Sequence, residues 1–194
     1  MTVIPRHPID GELHCVAEQT IFKGNKFETA EKILSWLIRE DIIKPEKSIV
    51  RYQPNGHRFS EGIKQVVTEP LPDITSDYVG LEYNTEREFY SIHHPVFRYI
   101  LCPNCNSDLE YCGEHEEVFL EALKQWRDHD GAEFVNCPVC NAKVLFHEFQ
   151  YGIGCGFSDL AFTFFGCRGF TEKFQSEFEQ QLGCRVRLVW DFCP

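Results

Sequence analysis

No stretch of this sequence approaches the roughly 20 consecutive apolar residues that a bilayer-crossing helix needs. The opening "MTVIPRHPIDGELH" holds no apolar run of signal-peptide length. Positive charge is scarce: 19 Lys and Arg stand against 30 Asp and Glu, a formal net charge of −11. An acidic surface repels phosphate backbones, so generic nucleic-acid binding is at a disadvantage. Solubility, or a protein partner with a basic surface, suits this charge better. No HExxH and no Ser-His-Asp order is visible. The glycine-rich "GIGCG" at 152–156 lacks the Lys-Ser/Thr and the following helix of a phosphate-binding loop. These absences leave a soluble, cytoplasmic protein without a membrane partner as the expectation, and non-enzymatic as the first reading.

Apolar residues make up 43% of the 194 residues, and 17 of them are Phe. That is enough to fill a sizeable core and excludes a disordered chain. The length suits one large domain, or one domain carrying a smaller module. Ten cysteines in a cytoplasmic chain point to metal ligands and buried thiols rather than disulfides.

Periodicity predicts a strand near 13–20 and a helix over 27–45, whose stripe is Ala30, Ile33, Leu34, Leu37 and Ile38. A short strand at 47–53, a turn at "NG" 55–56 and a short helix around 59–67 follow. Residues 78–100 read as one or two strands. "HEEVFLEALKQWRDH" (115–129) is a helix with Val118, Phe119, Ala122, Leu123 and Trp126 on one face; its acidic start suits the helix dipole. "AKVLFHEF" (142–149) reads as a strand. The last third is a strand–helix–strand unit. "DLAFTFF" (159–165) alternates, Thr171 caps a helix that stops at Gly183, and "CRVRLVWDF" (184–192) alternates again. A weak echo joins "FKGNKFETAEKILSWL" (22–37) to "FFGCRGFTEKFQSEFE" (164–179); the unequal spacing favours chance similarity in a Phe-rich chain, and a duplication with both chain ends in one α/β domain is the alternative.

The strongest chemical signal is a pair of near-identical knuckles, "CPNCN" (102–106) and "CPVCN" (137–141). Two residues between cysteines let both sulfurs point into one turn, and the proline restricts the backbone. Two knuckles supply four thiolates, Cys102, Cys105, Cys137 and Cys140, for one tetrahedral ion. The pattern resembles a zinc ribbon over about residues 97–150. That resemblance implies structural Zn2+ held between two β-hairpins. The gap between Cys105 and Cys137 holds 31 residues and includes the 115–129 helix, so the module is larger than a bare ribbon.

A competing quartet, Cys102, Cys105, Cys112 and His115, is chemically acceptable but leaves Cys137 and Cys140 without partners. Iron in a four-cysteine site is a further alternative. Four thiolates with a divalent ion leave no position for water and a negative site, which is a structural rather than a catalytic centre. Cys184 sits in the inward register of its strand. Cys155, flanked by glycines, is a loop thiol with no visible base. His93 and His94, being adjacent, point to opposite faces of a strand and do not share an ion.

The fold class expected is therefore α+β: a split α/β domain from 1–96 and 151–194, with a zinc-ribbon-like module at 97–150 inserted. Three functions follow in order: a zinc-stabilised protein acting through protein–protein contacts, an enzyme with its site in the α/β part, and a nucleic-acid-binding ribbon. The last is disfavoured locally as well, since residues 98–148 carry four basic against ten acidic side chains.

Overall fold

The computed structural model describes residues 11–17, 23–51, 53–91, 100–109, 116–128, 134–151 and 155–192. The fold is mixed α+β. Its centre is a six-stranded sheet built from β1 (Gly11–Ala17), β2 (Ile43–Val50), β3 (Gln53–Phe59), β4 (Gly80–Asn84), β11 (Ala161–Phe165) and β12 (Val186–Phe192), in the order β12-β1-β11-β4-β3-β2. Every neighbouring pair is antiparallel. Among the described residues, three two-stranded ladders accompany it. They are β5 (Glu88–Ser91) with β10 (Cys155–Ser158), β6 (Ile100–Leu101) with β9 (Gln150–Tyr151), and β7 (Phe134–Asn136) with β8 (Lys143–Leu145). Among the described residues, helices α1 (Lys26–Arg39), α2 (Glu116–Arg127) and α3 (Glu172–Leu182) and short 3-10 helices at Glu61–Gln65 and Phe146–Glu148 complete the order. No helix among the described residues is long and apolar enough to cross a membrane.

Local chemistry explains where the helices begin and end. Asn25 accepts hydrogen bonds from the N–H groups of Phe27 and Glu28 and starts α1; Thr171 accepts from Phe174 N–H and starts α3. Gly183 ends α3 in the left-handed region (φ 81°), its N–H donating to the Glu179 carbonyl. The helix predicted over 27–45 stops earlier, at Arg39. Asp41 turns left-handed (φ 56°) and the chain enters β2, which carries Pro45 on the outermost strand, where a missing N–H is tolerated. The "NG" pair does not make the turn predicted for it. Asn55 and Gly56 lie inside β3, and the reversal falls between Val50 and Gln53, with Arg51 left-handed (φ 45°). Gly56 is required there for space: a Cβ would lie 2.6 Å from Val50 Cβ.

The helices α1 and α3 lie side by side. Trp36 stacks on Phe174 at 5.6 Å and meets Phe178 edge-on at 5.9 Å, while Lys32 donates to the Gln181 carbonyl. Each helix delivers the chain to an opposite edge of the sheet, α1 to β2 and α3 to β12. Between helices and sheet lies one core containing Leu13, Cys15, Leu37, Phe59, Leu81, Phe162, Phe164 and Phe178. Phe164 sits at its middle, within 6.5 Å of the rings of Phe59, Phe170, Phe174 and Phe178.

Alternation in "DLAFTFF" points Phe162 and Phe164 to the helices, yet all five residues of β11 are buried. The opposite face of the sheet is covered as well. Val16, Ala161 and Val189 pack with Tyr90 of β5 in a separate small cluster. A Cβ on Gly156 of β10 would meet Val16 at 3.2 Å and Val189 at 3.4 Å, so the β5–β10 ribbon lies directly on this face. Polar residues share the interface. His14 Nδ1 is 2.8 Å from the Thr163 hydroxyl, and Asn84 donates to the Tyr90 hydroxyl at 3.1 Å.

Burial lowers the His14 imidazole from its ordinary 6.5 to about 4. The folded protein therefore holds His14 neutral where the unfolded chain already binds a proton. Stability is full above about pH 6.5 and falls as pH drops toward 4, by about 2–3 kcal/mol from this group. Urea unfolding of His14→Gln and the parent at pH 7 and pH 4.5 checks this: the variant should show the smaller acid-dependent loss.

Candidate metal centre

The second apolar cluster surrounds the cysteines. It contains Ile100, Cys102, Leu109, Phe119, Leu123, Trp126, Val135, Cys137, Val144, Phe146 and Phe149, and draws in Phe89, Tyr151 and Phe157 at its margin. Its aromatic centre is dense: Phe146 meets Phe157 at 5.1 Å, Phe157 meets Trp126 at 5.4 Å and Tyr151 at 4.9 Å, and Phe119 meets Phe149 at 5.2 Å. α2 supplies Phe119, Ala122, Leu123 and Trp126, as its periodicity predicts. Val118, placed on the same face by sequence, is instead half exposed at the stripe's edge. Arg87 donates to the Trp126 carbonyl, and Arg127 pairs with Glu88, so the C-terminal end of α2 is tied to β5. The strand predicted over 142–149 is shorter: β8 ends at Leu145, and Phe146–Glu148 form a 3-10 turn that sends Phe146 into this cluster.

Each knuckle caps a reversal of the chain. The first is flanked by Ile100 and Leu101 on one side and Asp108 and Leu109 on the other, with Leu109 N–H donating to the Ile100 carbonyl. The second caps the β7–β8 hairpin. Internally they match. Asn106 N–H donates to the Cys102 carbonyl at 2.8 Å, and Asn141 N–H to the Cys137 carbonyl at 2.8 Å. Cys102 N–H donates to the Ser107 carbonyl, and Cys137 N–H to the Ala142 carbonyl. Both asparagines have φ 56°. That is the left-handed conformation asparagine tolerates better than most residues, and it explains why the motif closes with Asn.

Together the knuckles bring the Sγ atoms of Cys102, Cys105, Cys137 and Cys140 within 4.8 Å of one another. Cys102–Cys140 and Cys105–Cys137 are each 3.8 Å apart. A tetrahedron with metal–sulfur bonds of about 2.3 Å has edges of about 3.8 Å. The geometry thus fits one ion bound by four thiolates. It leaves no room for the bridging sulfides of a cluster. Hydrogen bonds reach the sulfurs from the protein: Asn104 N–H donates to Cys102 Sγ, and the Asn104 side-chain amide donates across to Cys140 Sγ, each at 3.4 Å. Asn104 thus links the two knuckles. Sequence reading passed over it, although it is the one internal position at which the two motifs differ.

The unbound thiols are unequal. Hydrogen bonding with Ser107 lowers Cys105 to about 6, whereas burial raises Cys137 to about 11. Four thiolates in this volume need a cation, because Cys137 alone resists ionisation in its buried place. A bound metal ion would supply that charge and tie the two hairpins to each other.

The remaining candidates fall elsewhere. Cys112 and His115, which complete the competing quartet, lie outside the described residues, as do His93, His94 and residues 152–154. Cys155 is buried, and burial pushes its thiol up to about 11 despite the opposing charge of Arg187. That is the reverse of an activated nucleophile. Cys15 and Cys167 are buried, with their thiols pushed up by desolvation. Cys184 packs against the helix-side core. Compared with family models, curated proteins and solved structures, the chain matches none, so its function must be read from its own residues.

Proposed function

We propose that Cys102, Cys105, Cys137 and Cys140 bind one structural Zn2+ and that this ion braces a zinc-ribbon-like module, residues 97–150, inserted into an α/β domain formed by 1–96 and 151–194. The protein is a non-enzymatic, cytoplasmic one that works through contact with another protein. The observation that carries the metal reading is the pair of 3.8 Å sulfur–sulfur edges. Zinc suits it because a d10 ion accepts a tetrahedral thiolate set without redox chemistry. All four positions are filled by protein, which leaves no site for activated water.

The interaction reading rests on where apolar surface is left open. Seven large hydrophobic side chains are exposed among the described residues, and four of them, Val118, Leu120, Phe134 and Val139, lie in the module. Its acidic surroundings favour a basic protein partner over nucleic acid.

Metal analysis of protein purified without added metal tests the site. One zinc per chain is expected. After exchange, cobalt should give the visible spectrum of a tetrahedral four-thiolate site. Folded protein lacking metal, stoichiometric iron, or a cobalt spectrum showing a water ligand would each defeat the reading.

A further inference from the structure

A groove of about 740 Å3 runs between α2 and β7. Its helical wall carries Glu117, Glu121 and Gln125, one stripe at four-residue spacing, with Val118 beside it. The opposite wall is Phe134, Val135 and Asn136 of β7. Val118 is 50% exposed and Phe134 is 44% exposed, so apolar surface faces solvent from both sides. The volume lies within the roughly 300–1,000 Å3 usual for ligand pockets.

The charge at the groove is as informative as its apolar floor. Glu117 and Glu121 are both exposed. Neither has a Lys or Arg partner among the described residues, and Glu121 takes only a hydrogen bond from Gln125. Lys124, on the same helix, is exposed and pairs with neither. On the strand side, Lys143 lies 4.5 Å over the Phe134 ring. This shows that the ring accepts a cation. Two open carboxylates beside an exposed aromatic and a valine match a segment that alternates basic and apolar side chains.

We propose that this groove docks a short peptide segment of a partner protein in which an apolar residue is flanked by Lys or Arg. The apolar side chain covers Val118 and Phe134, and the flanking cations meet Glu117 and Glu121. The proposal rests on the interaction reading above and gives it a site and a ligand chemistry. It also gives the metal a purpose. β7 runs directly into Cys137, so the ion that holds the second knuckle holds one wall of the groove.

The test uses the full, metal-loaded chain and three fluorescein-labelled peptides: Lys-Phe-Lys-Leu-Lys, its acidic counterpart Glu-Phe-Glu-Leu-Glu, and the apolar-free Lys-Ser-Lys-Ser-Lys. Anisotropy titrations should show binding of the first peptide only, weakened by added salt. Reversal of the two exposed carboxylates in E117K/E121K should weaken it at least about tenfold and transfer preference to the acidic peptide. Amide shift changes on binding should fall on 117–125 and 134–136. Equal binding by parent and variant, or shifts elsewhere, refutes the groove while leaving the interaction reading intact. Equal binding of Lys-Ser-Lys-Ser-Lys refutes the apolar anchor. If no peptide binds parent or variant, the groove falls, while the interaction reading, which also rests on Leu120 and Val139 outside the groove, and the metal analysis stand on their own tests.

Discussion

Replacement of Cys137 by serine should release the metal and cost more than about 4 kcal/mol of stability, placing it among the few single substitutions whose effect is diagnostic. Cys137 is 1% exposed, and its hydroxyl replacement would leave three thiolates around an ion that needs four to remain closed to water. The loss should be local at first. Hydrogen exchange should show protection disappearing from β7, β8 and α2, which pack on the knuckles, while the amides of β1, β4 and β11 stay protected. Cys112→Ser should change neither metal content nor stability. Equal metal loss in both variants would replace the four-cysteine set with a mixed one. Uniform loss of protection in Cys137→Ser would show that module and sheet open as one unit.

Phe164→Ala should produce the complementary result. The side chain is fully buried amid four other phenylalanines, so its removal leaves a cavity that rigid rings fill poorly. A loss of about 3–5 kcal/mol is expected from chemical denaturation. Metal content measured under native conditions should remain one equivalent, because no ring of that network lies in the cysteine cluster. Release of metal by this variant would argue that the sheet, rather than the ion, organises the knuckles.

The two regions were unequally legible in sequence. The knuckles were plain because metal ligation constrains residue identity at short spacing, and the four sulfurs paired by that spacing are the four the fold gathers. The strand–helix–strand unit at the C-terminal end was equally readable, since Thr171, Gly183 and the Phe174–Phe178–Leu182 stripe are local signals. What failed was long-range. "NG" reads as a turn only until Val50 and Leu81 crowd Gly56 from neighbouring strands. The α1 stripe gives no warning that Asp41 will reverse the chain before Pro45. The alternation of "DLAFTFF" gives no sign that the β5–β10 ribbon, more than sixty residues away at one end, covers the second face of β11. The groove was hidden for a related reason: Val118 is apolar and in register with the buried stripe, and only the position of β7 leaves it open.

The β5–β10 ribbon has a consequence for anyone who would move this module to another scaffold. Its successive residues face different ways, Tyr90 toward the sheet and Phe89 and Phe157 toward the cysteine-side aromatics. A fragment trimmed at 97 and 150 would leave Phe89, Tyr151 and Phe157 behind and bare the rings they touch. If the proposed module is separable, a fragment that keeps these contacts must reach 88–158, and it would still arrive with one greasy side, Tyr90 and Gly156, seeking a new surface to lie against.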